Sequence, residues 1–310
     1  MFYCSRDCQC IGRPFHQTIC CDIVTLEREL AELKPQIRHH VCGTSSVVDL
    51  FREAAGAPDA TTSMQVHIHK KTQLKHLLHV VAQGSLFPSR KLWERVCHEQ
   101  LELLGLGGKL VDNTRQNFPL LLLNLGPSRY DDVYSFVLAQ EDGGKENVIV
   151  GDTNAGREGG DPKQSGCRYR NILQDLSLSQ QTQVGLGALV AVLIMKLRLV
   201  ADFEHAPTKD SKKAHMIASI ISVQIPSLIQ HIHQRNPLML PSLLYPDALL
   251  SHDPPRYFTP GSQEEAYTVC WDAIGPFQRT PGARETLLQA LGTDKPTIPT
   301  LQVQNDMLVG

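Results

Sequence analysis

The sequence predicts a mostly α-helical protein, and three observations carry that expectation. Apolar residues recur at spacings of three and four along most of the chain. Gly and Pro punctuate the periodic stretches where helices should stop. The longest apolar run, Val184 to Met195, is closed by Lys196 and Arg198, so it reads as a buried core helix rather than the ~20 residues that crossing a bilayer requires. With 310 residues and 42% apolar content, the chain can bury a core in one large domain or two modest ones.

The first element is a cysteine cluster. Cys4, Cys8, Cys10, Cys20 and Cys21 fall within the first 21 residues, whereas Cys42, Cys97, Cys167 and Cys270 are scattered. The N-terminus has neither the charged nor the apolar region of a secretory signal, so the expected setting is intracellular, nucleus or cytoplasm. In a reducing compartment, clustered thiols point to metal before disulfides. Cys4 and Cys8 are four apart, as are His16 and Cys20, so a short helical turn would present each pair from one face. Thiolate and imidazole donors together suit tetrahedral Zn2+.

The residues Tyr3-Cys4-Ser5-Arg6-Asp7-Cys8-Gln9, followed by Pro14, His16 and Cys20, resemble the back half of the MYND-type zinc finger family. That family's pattern runs Tyr-Cys-Ser-x-x-Cys-Gln, then Trp and Pro, then His-x-x-x-Cys. Arg13 stands where the family carries Trp, and the family's two preceding Cys-x-x-Cys pairs have no counterpart here. The resemblance implies a cross-braced pair of zinc ions, with Cys4 and Cys8 serving one and His16 and Cys20 the other. Three arrangements stay open: a finger completed by ligands encoded further upstream, a single rearranged Cys₃His-type ion drawing on Cys10 or Cys21, and a decayed finger. On this reading residues 1–21 are a zinc-finger remnant and residues 22–310 an irregular multi-helix domain.

Through that domain the helices follow in order. Leu26, Leu30, Leu33 and Ile37 form an apolar stripe that Pro35 should end, and Ser46 to Ala55 reads as a short helix stopped by Gly56 and Pro58. Met64 to His69 alternates apolar with polar residues and predicts a short strand. Leu74 to Ala82 and Ser89 to Leu104 are amphipathic helices. Asn117 should open another helix, with Pro119 in its first turn, and Arg129 to Gln140 continues helical. Residues 142–166 shift to Gly, Asp, Lys and Asn and read as a mobile loop; Gly151 to Gly156 lacks the Lys and strand-to-helix context of a phosphate cradle. Gln180 to Phe203 and Ser211 to His233, the latter kinked at Pro226, are the strongest helices and should pack together. Asn236 to Pro260 is proline-rich and irregular, and Gln263 to Ile274 and Arg284 to Leu291 close the chain. The stretches Pro119–Val137 and Leu186–Asp202 resemble the body of fungal proteins in which a MYND finger precedes a helical region of unassigned function.

Further chemistry is sparse. Histidines gather at His67, His69, His76 and His79 and at His231 and His233, but without a carboxylate or thiol at a supporting spacing. His39 and His40, beside Cys42, could lend ligands to a rearranged finger site. Some MYND fingers accompany lysine methyltransferases, which keeps an enzyme reading as the alternative. Their motifs find only superficial echoes here, His252-Asp253 and Gly261-Ser262-Gln263-Glu264-Glu265. Lys and Arg number 30 against 32 Asp and Glu, and aromatics are 6%, which argues against phosphate tracking and base stacking and hence against a nucleic-acid partner. The leading expectation is a zinc-binding adaptor for protein partners, proline-containing peptides among them as the resemblance implies, with no membrane span and no assigned catalytic residue.

Overall fold

The computed structural model describes residues 13–40, 58–84, 90–105, 110–141, 184–205, 211–246, 255 and 258–291; among them the regular elements are all helices and no strand is present. The mostly α expectation holds. The chain divides into two compact units, Met1–Leu121 and Leu122–Gly310. The expected helix at 46–55 and the expected loop at 142–166 lie outside the described residues.

In the first unit, α1 (Arg13–His40), α2 (Pro58–Gly84) and α3 (Arg90–Gly105) follow one another, and α2 packs on both neighbours. Apolar side chains meet between them: Ile23 and Leu30 from α1, Leu74, Leu78 and Ala82 from α2, and Trp93, Val96 and Leu103 from α3 are all buried. Full burial of each large apolar side chain contributes about 1.5–3 kcal/mol relative to exposure.

Two expectations fail here. Residues 64–69 are not a strand but the middle of α2. Val66, an inward position on the strand reading, is 38% exposed, while His67 is buried. The inward stripe of α2 is His67, Lys71, Leu74, Leu78 and Ala82, a helical spacing whose first two members are polar and so conceal the period. Nor does Pro35 end α1, which continues to His40 with the proline inside. Pro35 is exposed, and so is Ala31, whose carbonyl loses its helical donor and can turn to water instead.

The helix α4 (Leu110–Leu123) carries the chain from the first unit into the second. It begins seven residues before Asn117, so Pro119 sits in its interior, where the ring is buried with Phe118 and Leu120 to Leu123. A 3-10 turn (Pro127–Arg129), following Gly126 at φ +91°, leads into α5 (Tyr130–Glu141).

The second unit is organised on α6 (Leu186–His205), which is buried at nearly every position from Leu186 to Ala201. Its main partner is α7 (Ser211–Arg235), as the sequence suggests, and α7 runs through Pro226 without ending. The next segment is more regular than expected, because Met239–Leu244 forms the short buried helix α8. Then α9 (Gln263–Gln278) and α10 (Ala283–Leu291) pack on α6, on α8 and on each other.

One side chain fastens the joints of this unit. Asn236, fully buried, donates from Nδ2 to the Ser262 carbonyl at 2.8 Å and to Glu265 Oε2 at 3.1 Å, and its Oδ1 accepts from Leu238 N at 3.1 Å. The end of α7 and the starts of α8 and α9 thus share one amide.

Candidate functional site

The four expected metal ligands are only partly within view. Cys4 and Cys8 lie outside the described residues, as does Cys10. His16 and Cys20 both lie on α1, four residues and hence about one helical turn apart, which puts the two positions on one face. Cys20 is half-buried and in no disulfide; Cys21, beside it, is exposed. Partial burial and the neighbouring Cys21 push the Cys20 thiol above its ordinary pKa, so a metal would have to displace its proton. An imidazole and a thiol at this spacing fit one edge of a tetrahedral zinc shell. Among the described residues there is no group of three or more His, Cys, Asp or Glu that could hold a metal ion.

Among the described residues the histidine cluster forms no group of three or more metal-ligating side chains. His67 and His79 are buried against α2's neighbours, His69 is exposed with Nε2 3.1 Å from Gln73 Nε2, and His79 packs edge-on to Trp93 with ring centroids 5.2 Å apart. Burial first, and then the cations of Lys71 and Lys34, lower the pKa of His67 to about 4, so the ring is neutral in the folded chain at pH 7. His231 Nδ1 lies 2.8 Å from the Ser227 carbonyl of its own helix. His39 and His40 end α1, and Cys42 lies outside the described residues.

A polar knot that the sequence reading missed surrounds His67. Lys71, 5% exposed, donates to Glu99 Oε2 at 2.7 Å and also bonds Glu102. Desolvation raises the pKa of Glu102, but its bond to Lys71, with the charges of Lys71, His98 and Lys34, outweighs that and leaves it below the usual range. Outside the knot, Glu29 pairs with Lys70 at 2.7 Å and Glu27 with Arg95, which bring α1 to α2 and α3. The helical spacing of Lys71 with Leu74 and Leu78 was the one signal that could have announced a buried lysine.

The echo of a methyltransferase motif at Gly261–Glu265 has a structural role. Ser262 is the N-cap of α9 and accepts from Glu265 N at 3.2 Å, while Glu265 Oε2 accepts from Gly261 N at 2.7 Å and from Asn236. This is the reciprocal bonding of a capping box, shifted by one residue, with Gly261 at φ +81°. Glu265 is 3% exposed, so its carboxylate serves the cap and no substrate. His252 and Asp253 lie outside the described residues.

Two surface features of the second unit were also not foreseen. A groove of about 1130 Å³ opens between the end of α6, the middle of α7 and α10, floored by Leu197, Ala201, Ile225 and Ile229 and edged by Glu204 and His233. It lies where Pro226 frees the Ser222 carbonyl from its helical bond. His205 Nδ1 is turned to the Ala201 carbonyl of its own helix at 2.8 Å. On α7, Met216, Ile220 and Val223 stand 58%, 42% and 76% exposed at helical spacing, an apolar stripe with Lys212 and Lys213 one turn before it. Cys270 is fully buried, its thiol 3.4 Å from the Ser242 carbonyl and its pKa pushed up to about 12 by burial, which rules it out as a nucleophile. No helix among the described residues is long and apolar enough to cross a membrane. Comparison of the chain with family models, curated proteins and solved structures returned no match in any of the three.

Proposed function

We propose that this chain is a zinc-stapled protein-interaction component, in which the MYND-like segment formed by Cys4, Cys8, His16 and Cys20 sits at the head of a helical scaffold. The observation that carries the reading is the placement of positions 16 and 20 one turn apart on the continuous helix α1, with Cys20 a partly accessible thiol. Bound there, Zn2+ would supply structural cross-linking, since every donor the resemblance names is a protein side chain. The partners on this reading are protein segments, proline-containing peptides among them. The exposed Met216–Ile220–Val223 stripe supports a docking role for the body as well, because monomeric proteins rarely leave a contiguous apolar face in water without a use for it.

The test is metal content. The full chain, produced with zinc and dialysed without chelator, should carry at least about one zinc per chain by elemental analysis, the number a single four-ligand site holds. Paired His16→Ala and Cys20→Ser changes should abolish it, as should Cys4→Ser with Cys8→Ser. Zinc-loaded protein should bind a proline-rich peptide by calorimetry and lose that binding with chelator. Protein that stays helical and carries no zinc would end this reading.

A further inference from the structure

The helix α7 carries apolar side chains on both of its faces. Inward, Ala218, Ile221, Ile225, Leu228 and Ile232 are buried in the second unit. Outward, Met216, Ile220 and Val223 stand exposed at spacings of four and three, so they fall on one line along the helix. That line continues to Pro226 and Gln230, both exposed and both lining the groove floored by Leu197, Ala201, Ile225 and Ile229. Stripe and groove are thus one surface, which runs with α7 from Lys212 to Gln230 over about 27 Å.

The head of this surface is positive. Lys212 and Lys213 are exposed one turn before Met216, and the 25 residues of α7 include no Asp or Glu. The groove adds one carboxylate, Glu204, beside the imidazoles of His205 and His233. A second copy joined through a two-fold axis would set this face against itself, bringing the same lysines and a single groove carboxylate per chain. An anionic bilayer calls for about four or more clustered cations and for aromatic side chains at the interface. The exposed stripe has two lysines at its head, and α7 contains no Phe, Trp or Tyr. An extended peptide that adds a strand finds no sheet edge among the described residues, whose regular elements are all helices.

We infer that the outward face of α7, from Lys212 to the groove at Pro226 and Gln230, is a docking site for an acidic amphipathic helix of a partner protein. Apolar side chains of that helix, recurring every three or four residues, pack between Met216, Ile220 and Val223 and pass over Pro226 into the groove. Its carboxylates meet Lys212 and Lys213 at the other end. A helix of about 18 residues matches the length of the surface. The apolar contacts hold the partner, and the lysines select an acidic one and fix its direction. The inference rests on the docking role proposed above for the helical body and not on zinc.

Selection from a displayed library of peptides of about 18 residues on the full chain, with counter-selection on the Ile220→Glu chain, tests the assignment. The recovered peptides should be net acidic, carry apolar residues at helical spacing and bind the full chain 1:1 by fluorescence anisotropy. Val223→Glu should weaken such a peptide roughly tenfold or more. Lys212→Glu with Lys213→Glu should weaken it as much, and should tighten binding of the same peptide with its acids changed to Lys. The altered positions are exposed, so each variant should keep the wild-type melting temperature, and an inverted charge preference cannot come from a misfolded chain. Binding should survive chelator, which separates a failure of this site from a failure of the finger. The assignment is overturned if no peptide distinguishes the wild type from Ile220→Glu, if the recovered set lacks net negative charge, or if chelator abolishes binding. It is overturned as well by dimer formation, or by sedimentation with phosphatidylserine vesicles, that Ile220→Glu abolishes; either result gives the face to a second copy or to lipid.

Discussion

The two units stabilise helices of similar length by different means. In the first, the contact of α2 with its neighbours is built partly from charge: Lys71 between Glu99 and Glu102, with His67 a turn away, occupies positions that an ordinary helix would give to Leu or Val. In the second, α6 is buried at nearly every position by mostly apolar side chains, its buried Lys196 donates to the neutral amide of Gln224 on α7, and Asn236, Ser262 and Glu265 bond at the ends of the neighbouring helices. A charged knot stabilises only while each member is present and correctly protonated, whereas contacts between apolar side chains are indifferent to pH.

The largest expected effect breaks the knot. Lys71→Met should lower the stability of the first unit by about 3–5 kcal/mol, because Glu99 is then left buried without its cation. Urea unfolding followed by amide exchange within α2 and α3 reads this directly. Replacing the three partners together, Lys71→Met with Glu99→Leu and Glu102→Leu, should restore most of the loss; no recovery would mean that the knot is not the unit's weak point.

Acid gives the next effect. His67 has a folded pKa of about 4 against an ordinary 6.5, so the unfolded chain binds the extra proton first. The contribution of a neutral His67 is therefore complete above about pH 6.5 and is lost as pH falls toward 4, by about 3 kcal/mol in all. Glu102, held below its usual pKa, adds to the loss in the same direction at still lower pH. Melting curves from pH 7 to 4 should show this decline, and His67→Leu should flatten it. A decline unchanged in His67→Leu would assign the acid sensitivity elsewhere. The smallest effect belongs to the second unit: Ser262→Ala removes the N-cap of α9 and should cost about 1 kcal/mol by urea unfolding.

The same contrast decided what the sequence disclosed. Where burial is apolar, as along Val184 to Met195, the hydrophobic run marked both the helix and its central position. Where polar side chains take inward positions, the pattern misled, and His67 and Lys71 turned a helix into an apparent strand. Prolines misled in the other direction: Pro35 lies in the exposed part of α1 and Pro119 in the buried end of α4, and neither ended or began the helix it was expected to. Of the candidate ligands, His16 and Cys20 fall on one helical face as their spacing suggests.

Asn236 is followed by Pro237. Spontaneous deamidation of asparagine proceeds by attack of the next residue's main-chain nitrogen on the side-chain carbonyl, and a proline nitrogen carries no hydrogen with which to complete the succinimide. The amide on which three chain segments converge is thereby shielded from the commonest route of chemical ageing, and the joint between α7, α8 and α9 should outlast other asparagines as the protein grows old.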